Sequence, residues 1–235
     1  VFAGTPPLAF TYGLGGLLLF PMYAGASVLL IESYTPESLI GAIEEHQVTV
    51  PFTAPTMYRT LTPHARNDDT ASLHICNSAG ETLPKPTWDD WHAATGLSIH
   101  DGIGATEMLH TFVAGRGAGI RPGATGLTIA GFEAEVLEES GQPAPVGQIG
   151  RLAVRGPTGC RYMANPERQE TYVQDGWNLT GDSYLRDEDG YFWYQARTDD
   201  LIVSAGYNIS GPEIEAVLLE HPAVADCAVI PRPDA

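Results

Sequence analysis

A hydroxyl and a carboxylate stand side by side at the end of the run Ile99–Glu107, where a short predicted strand gives way to glycines. Thr106 and Glu107 follow Gly102 and Gly104, whose missing Cβ atoms let the backbone come close to a bound molecule. Hard oxygen ligands suit Mg²⁺, and open α/β sheets bind ligands at the carboxyl ends of their strands. The run therefore predicts a Mg²⁺–phosphate site. The alternative is a simple turn with a solvated glutamate, because a short glycine motif is weak evidence by itself.

The elements that would position this run alternate between strand and helix. Aliphatic and β-branched runs indicate strands, and segments that start with proline indicate helices. The predicted strands are Ser27–Glu32, Val48–Thr53, Leu73–Asn77 and Leu97–Ile103, and the predicted helices are Gly15–Ala24, Pro36–His46, Pro55–Ala65 and Pro86–Ala94. This alternation with short turns predicts right-handed βαβ units and a parallel sheet.

The pattern changes after His110. Prolines, glycines and short alternating segments predict antiparallel β structure, with no helix until Pro212. The predicted elements are strands Leu127–Ala130, Glu133–Leu137 and Gln148–Arg155, a hairpin turn at Asp187–Gly190, a strand and turn at Leu201–Ser210, helix Pro212–His221 and strand Val224–Ile230. The fold class is therefore α/β, with a parallel βαβ portion, an antiparallel β region and then the start of a small α+β domain.

The composition narrows the class of protein. The chain has 235 residues, of which 43% are hydrophobic, as in a globular protein of one or two domains. A net charge of −17 disfavours nucleic acid and anionic membranes as partners. No apolar run reaches the ~18 residues of a membrane span, and no signal peptide is visible. Because the chain starts at Val1 and not at a methionine, we expect a fragment of a longer cytoplasmic protein.

Two residue types add to this picture. Cys76, Cys160 and Cys227 lie far apart, which predicts buried structural thiols in a reducing compartment. Lys85 is the only lysine beside 29 acidic residues, and acidic surfaces with few lysines are typical of halophilic proteins. We therefore expect the complete protein to unfold in low salt.

Several motifs together resemble the adenylate-forming superfamily of acyl- and aryl-CoA ligases. The run Asp101–His110 (DGIGATEMLH) is most similar to benzoate-CoA and 2-aminobenzoate-CoA ligases. Ser78–Glu81 (SAGE), Thr180–Asp182 (TGD) and Ala196–Asp200 (ARTDD) resemble further motifs of the superfamily and occur in its order. Ala196 stands where the family usually has glycine.

The resemblance implies a nucleotide site. Thr106 would contact a phosphate of ATP and Glu107 would bind Mg²⁺, while Asp182 and Arg197 would hold the ribose and phosphate of AMP. The residues that would frame adenine are Ser78, Ala79, Gly80, Glu81, Asp101, Gly102 and Ile103. The alternatives are a simple turn for the TGD motif and a surface ion pair for Arg197.

The resemblance also implies an acid site and a moving domain. Thr11, Tyr12 and His110 would line the carboxylate pocket, with ordinary core packing as the alternative for the first two. Gly206 would lie against the pantetheine of CoA, and Asp199 would be the hinge. Residues 1–198 would then be part of a large domain without its phosphate loop, and residues 199–235 the start of a small domain without its catalytic lysine.

The implied function is ATP-dependent activation of an aromatic carboxylate, benzoate or 2-aminobenzoate, to acyl-AMP, followed by transfer to CoA in the degradation of aromatic acids. An adenylation domain that loads a carrier protein and a non-catalytic nucleotide-binding module remain alternatives, and a homodimer is left open. Without the phosphate loop and the lysine, the chain by itself is expected to make no acyl-CoA.

Overall fold

The computed structural model describes residues 1–65, 70–198, 202–204, 207–221, 223–224 and 227–230. The chain forms two compact units, Val1–Gly123 and Ala124–Ala235. The sequence-based domain boundary at residue 199 falls outside the described residues and stays a prediction.

The first unit alternates strands and helices, as predicted. Its elements are β1 (Phe2–Gly4), α1 (Thr11–Leu14), a π-helical turn (Gly15–Leu19), α2 (Phe20–Ala24), β2 (Val28–Leu29), α3 (Pro36–His46), β3 (Val50–Thr53), α4 (Pro55–Ala65), β4 (Cys76–Ser78), α5 (Lys85–Thr95), β5 (Ile99–Gly104), a 3₁₀ turn (Thr106–Met108), β6 (Thr111–Ala114) and a second 3₁₀ turn (Gly117–Gly119). The strands follow the order β2-β1-β3-β4-β5-β6. Strands β1 to β5 pair in parallel and β6 pairs antiparallel with β5, so the predicted parallel sheet is confirmed.

Local sequence sets the start of α3. The Thr35 side chain accepts a hydrogen bond from the Ser38 N–H, and the Ser38 hydroxyl accepts one from the Thr35 N–H. Pro36 occupies the first turn, where its missing N–H costs nothing. These signals are visible in the sequence, which is why both ends of α3 agree with the prediction.

The core of the first unit holds β4 and β5 in place. Trp91 of α5 and Tyr58 of α4 are each 1% exposed and meet edge to face with ring centroids 5.0 Å apart. Ile99 and Cys76, neighbours on β5 and β4, are fully buried in the same cluster. Tight packing at the amino ends of these strands fixes the loops that follow their carboxyl ends.

The second unit is mainly antiparallel. Its elements are β7 (Leu127–Thr128), β8 (Glu133–Leu137), β9 (Gly150–Arg155), α6 (Pro166–Tyr172), β10 (Val173–Gln174), β11 (Trp177–Arg186), β12 (Phe192–Arg197), β13 (Ile202–Ser204), β14 (Tyr207–Ile209) and α7 (Gly211–Leu219). Strands β10, β11, β9 and β8 follow one another in a sheet, with β12 also beside β11, and β13 and β14 form a hairpin. The predicted antiparallel region is confirmed.

Some sequence-based predictions are wrong. A helix, α6, precedes Pro212: Asn165 accepts a hydrogen bond from the Arg168 N–H, and Pro166 follows at the first helical position. The predicted strand Val224–Ile230 is not formed at 224 or 227–230, the part of it that the structure describes. Among the described residues no helix is long and apolar enough to cross a membrane.

Other predictions need smaller corrections. The predicted helix Gly15–Ala24 is preceded by α1, which starts at Thr11, and the π-helical turn interrupts it. The short strand β1 had no sequence signal. Cys76 is buried but Cys160 and Cys227 are half-buried, so the prediction of buried thiols holds for Cys76 alone.

Candidate active site

A cavity of about 600 Å³ opens in the first unit where β1, β3, β4 and β5 end. This is the edge of a parallel sheet at which α/β proteins bind ligands, and the volume suits a small molecule. The predicted site residues that line it are Thr11, Tyr12, Ala79, Gly80, Glu81, Thr106 and His110. Residues predicted for adenine, phosphate and acid therefore share one cavity.

The loop after β4 forms one wall of the cavity and is tied to α4. The Glu81 carboxylate accepts hydrogen bonds from the Thr56 N–H at 3.3 Å and from the Thr56 hydroxyl at 2.6 Å. The Tyr58 hydroxyl donates to the Asn77 carbonyl at 3.0 Å. Since Thr56 lies in the first turn of α4, Glu81 caps this helix from a distant segment. The Glu81 carboxylate therefore attaches the loop after β4 to the start of α4.

We expect removal of this cap to destabilise the chain by about 1 kcal/mol, as loss of an N-cap does. Glu81→Ala and Thr56→Val should each lower the midpoint of urea unfolding. Glu81→Ala removes both hydrogen bonds and Thr56→Val removes only the one from the hydroxyl, so the double variant should lose little more than Glu81→Ala alone. Strictly additive losses would show that the contact contributes nothing.

The remaining predicted residues of this part of the site are not among those that line the cavity. Ser78, Ile103 and Glu107 are each next to a lining residue in the chain, and Asp101 and Gly102 come two or three residues before the lining residue Gly104. Asp101 Oδ1 is shielded from solvent and has no hydrogen-bond partner within the described parts of the chain. Burial raises the pKa of Asp101 to about 8, and the nearby Ser78 hydroxyl and the Gly102 N–H lower it only in part.

Aromatic rings form the predicted acid side of the cavity. The Tyr12 ring meets Phe52 edge to face at 5.5 Å, and its hydroxyl donates to the Thr53 carbonyl at 3.3 Å. Burial, aided by the charge of Asp101, raises the pKa of Tyr12, so it stays a neutral phenol. Burial lowers the pKa of His110, and its hydrogen bond to the Tyr12 carbonyl opposes this only in part. The wall is therefore uncharged at neutral pH.

Thr106 and Glu107 lie on the 3₁₀ turn that follows β5. Thr106 is exposed and lines the cavity, and Glu107 is half-buried beside it. Their hydroxyl and carboxylate oxygens are the donor set that Mg²⁺ prefers. No group of three His, Cys, Asp or Glu side chains able to hold a metal occurs in the described ranges.

In the second unit, the structure brings two predicted residues together. Arg197 of β12 donates from Nη1 to Asp182 Oδ1 of β11 at 2.8 Å. The Asp182 side chain is 12% exposed and that of Arg197 is 53% exposed. Burial raises the pKa of Asp182, and the Arg197 charge lowers it only in part. At Gly181, a Cβ would lie 2.8 Å from Arg197 Nη2, so glycine makes room for the pair.

The remaining site predictions lie elsewhere or were missed. Asp199 and Gly206 fall outside the described residues, so the hinge and the pantetheine contact stay predictions. The cavity is also lined by Thr5 and Ala54, which directly follow β1 and β3, and by Phe10 and Tyr34. Thr5 and Ala54 could be predicted from their positions after strands, once β1 is known. No sequence signal marks Phe10 or Tyr34 as residues of the cavity.

The fold and this cavity define a small-molecule binding domain of the α/β class. Residues 1–162 match the family described as AMP-binding enzyme, and the chain belongs to that family.

Three comparisons illustrate its relatives. The chain is 35% identical over 228 residues to the benzoate–CoA ligase of Thauera aromatica, covering 95% of this chain and 43% of the relative. It is 37% identical over 226 residues to the mitochondrial acyl-coenzyme A synthetase ACSM3 of Rattus norvegicus, covering 91% of this chain and 38% of the relative. The crystal structure of the anthranilate CoA ligase AuaEII in complex with anthranoyl-AMP matches with a TM-score of 0.93 and 38% identity. The match covers 99% of this chain and 46% of that structure's chain. The chain thus spans less than half the length of these relatives.

Proposed function

We propose that this chain is part of an ATP-dependent aryl-CoA ligase. The observation that carries the proposal is that the predicted adenine side, Ala79 to Glu81, and the predicted acid side, Tyr12 and His110, line one cavity together with Thr106. A nucleotide and a carboxylate bound there would be held next to each other, which the joining of the two requires.

The reaction would have two displacement steps. A carboxylate oxygen attacks the α-phosphorus of ATP and pyrophosphate leaves, which gives the acyl-AMP. The sulfur of CoA, having lost its proton, then attacks the acyl carbon and AMP leaves. Bound Mg²⁺ would neutralise charge on the phosphates. Glu107 would hold that ion, the Thr106 hydroxyl would donate to a phosphate oxygen, and Asp182 would accept from the ribose hydroxyls.

The character of the acid side supports an aromatic substrate. Phe10, Tyr12 and Tyr34 line the cavity, and flat rings pack well against aromatic side chains. Tyr12 and His110 carry no charge at neutral pH, since burial moves the pKa of each away from 7. The names of the benzoate and anthranilate ligases among the relatives point to the same class of acid. Benzoate and 2-aminobenzoate are therefore the proposed substrates.

The acid preference can be measured on the complete ligase, meaning this chain within a protein that carries the phosphate loop and the catalytic lysine. We expect kcat/KM for acid-dependent pyrophosphate release to be about tenfold or more higher with benzoate or 2-aminobenzoate than with octanoate. A higher value with octanoate would contradict the aromatic assignment. Pyrophosphate release without CoA-ester formation would instead indicate a carrier-protein acceptor.

A further inference from the structure

We propose that Gly15 is a positioning residue for acid specificity, because its missing Cβ decides where the His110 ring stands in the cavity. The substrate part of this inference rests on the proposed function. The steric part rests on the geometry of the first unit alone.

The helix that carries Gly15 leaves no room behind the His110 ring. A Cβ added at Gly15 would lie 2.3 Å from His110 Cδ2 and 2.7 Å from Nε2. The Phe20 ring meets the His110 ring edge to face, with centroids 4.7 Å apart. The π-helical turn begins at Gly15, and such turns are frequent at functional sites. The His110 ring is therefore packed against both Gly15 and the Phe20 ring, whose Cζ would itself lie 3.2 Å from the added Cβ.

The backbone at Leu109 and His110 is constrained as well. Leu109 adopts φ 74° and ψ −46°, which residues other than glycine rarely adopt. These angles are close to those of the strained γ-turn. At Gly104, a Cβ would lie 2.6 Å from the His110 carbonyl oxygen. A glycine gap and a strained residue thus fix the backbone from which the His110 side chain projects.

This placement also sets the chemistry of the ring. Nε2 lies 3.4 Å from the Tyr12 carbonyl, which can only accept, so a hydrogen bond here assigns the proton to Nε2. The Cδ2–Nε2 edge that faces Gly15 leaves Nδ1 on the opposite edge, as an acceptor. His110 lines the cavity, and an acceptor on its ring suits an acid with a donor beside its carboxylate, which 2-aminobenzoate has and benzoate lacks.

A stability cycle on the 235-residue chain tests the steric part without any turnover. Gly15→Ala should lower the melting temperature by about 5 °C or more. In a His110→Ala background the same change should cost about 1 °C or less, because the clashing ring is gone and alanine favours the helix. Gly16→Ala is the matched control: its Cβ would lie 2.5 Å from Phe52 Cδ1, so its cost should be the same in both backgrounds.

If Gly15→Ala alone fails to fold, folding of the Gly15→Ala/His110→Ala double variant supports the proposal. Equal loss in both backgrounds, or failure of the double variant to fold where His110→Ala folds, would overturn it.

The substrate part is tested in the complete ligase. Gly15→Ala pushes the ring into the cavity, so KM for 2-aminobenzoate should rise about tenfold while KM for ATP stays within about twofold. Acetate, which needs less room, should be affected less. Equal rises in KM for acid and ATP would overturn the specificity role. If the wild-type enzyme makes no acyl-AMP, the proposed function has failed, while the melting-temperature cycle still decides the placement of His110.

Discussion

Asp182→Ala in the complete ligase should lower kcat/KM for ATP by about a hundredfold or more. The carboxylate is 12% exposed and already accepts from Arg197 Nη1, which holds it in one orientation. Hydrogen bonds from the ribose hydroxyls to a charged acceptor are each worth about 1.5–3 kcal/mol, and about 3 kcal/mol corresponds to a hundredfold in rate. The measurement is acid-dependent pyrophosphate release as a function of ATP concentration.

Asp187→Ala provides the matched control for Asp182→Ala. Asp187 lies in the same unit and accepts from the N–H groups of Asp189 and Tyr191 and from Trp193 Nε1. Its loss should cost stability and leave KM for ATP within about twofold, since these partners belong to a turn and not to a nucleotide. The ribose role of Asp182 is wrong if both variants raise KM for ATP equally.

Loss of the salt bridge between Asp182 and Arg197 is not expected to cause the drop in kcat/KM of Asp182→Ala. Arg197 is 53% exposed, so solvent screens its attraction to Asp182. Arg197→Ala should therefore alter the melting temperature by only about 0–3 °C, which corresponds to about 0–1 kcal/mol.

The parallel half of the fold could be predicted because its signals are local. Thr35, Pro36 and Ser38 mark the start of α3 within a few residues, and the strand Val50–Thr53 stands out as part of the apolar run Val48–Thr53. The failures had local causes as well. Strand β1, Phe2–Gly4, is too short to show a period, and α6 was missed although Asn165 and Pro166 form a typical helix start.

The candidate site was predictable as a set of motifs but not as an arrangement. Resemblance of DGIGATEMLH and SAGE to known motifs selected residues that share the cavity, among them Thr106 and Gly80. The contact of Glu81 with Thr56 joins residues 25 positions apart, and the approach of Gly15 to His110 joins residues 95 positions apart. Contacts of this kind depend on how the elements pack, and no periodicity in the sequence encodes them.

Asp101 makes the stability of the first unit depend on pH in a direction that can be tested. Burial raises its pKa from 3.8 in the unfolded chain to about 8 in the folded chain. Below pH 4 both states hold the proton, and between pH 4 and 8 only the folded state holds it. The unfolded state then binds fewer protons, so stability falls as pH rises through this window and stays low above pH 8.

Asp101→Asn removes the ionisation while keeping the shape of the side chain. At pH 8.5 the variant should therefore melt about 5 °C or more above the unchanged chain, which corresponds to about 2 kcal/mol, and at pH 4 the two should differ by about 1 °C or less. Asp90→Asn, on the exposed face of α5 in the same unit, is the control and should shift the melting temperature little at either pH. The phenols of Tyr12 and Tyr58, which interact with the charge of Asp101, stay protonated across this pH range because burial raises the pKa of both. Identical shifts at pH 4 and 8.5 would show that Asp101 has the same pKa in the folded and unfolded chains, which would contradict the raised pKa.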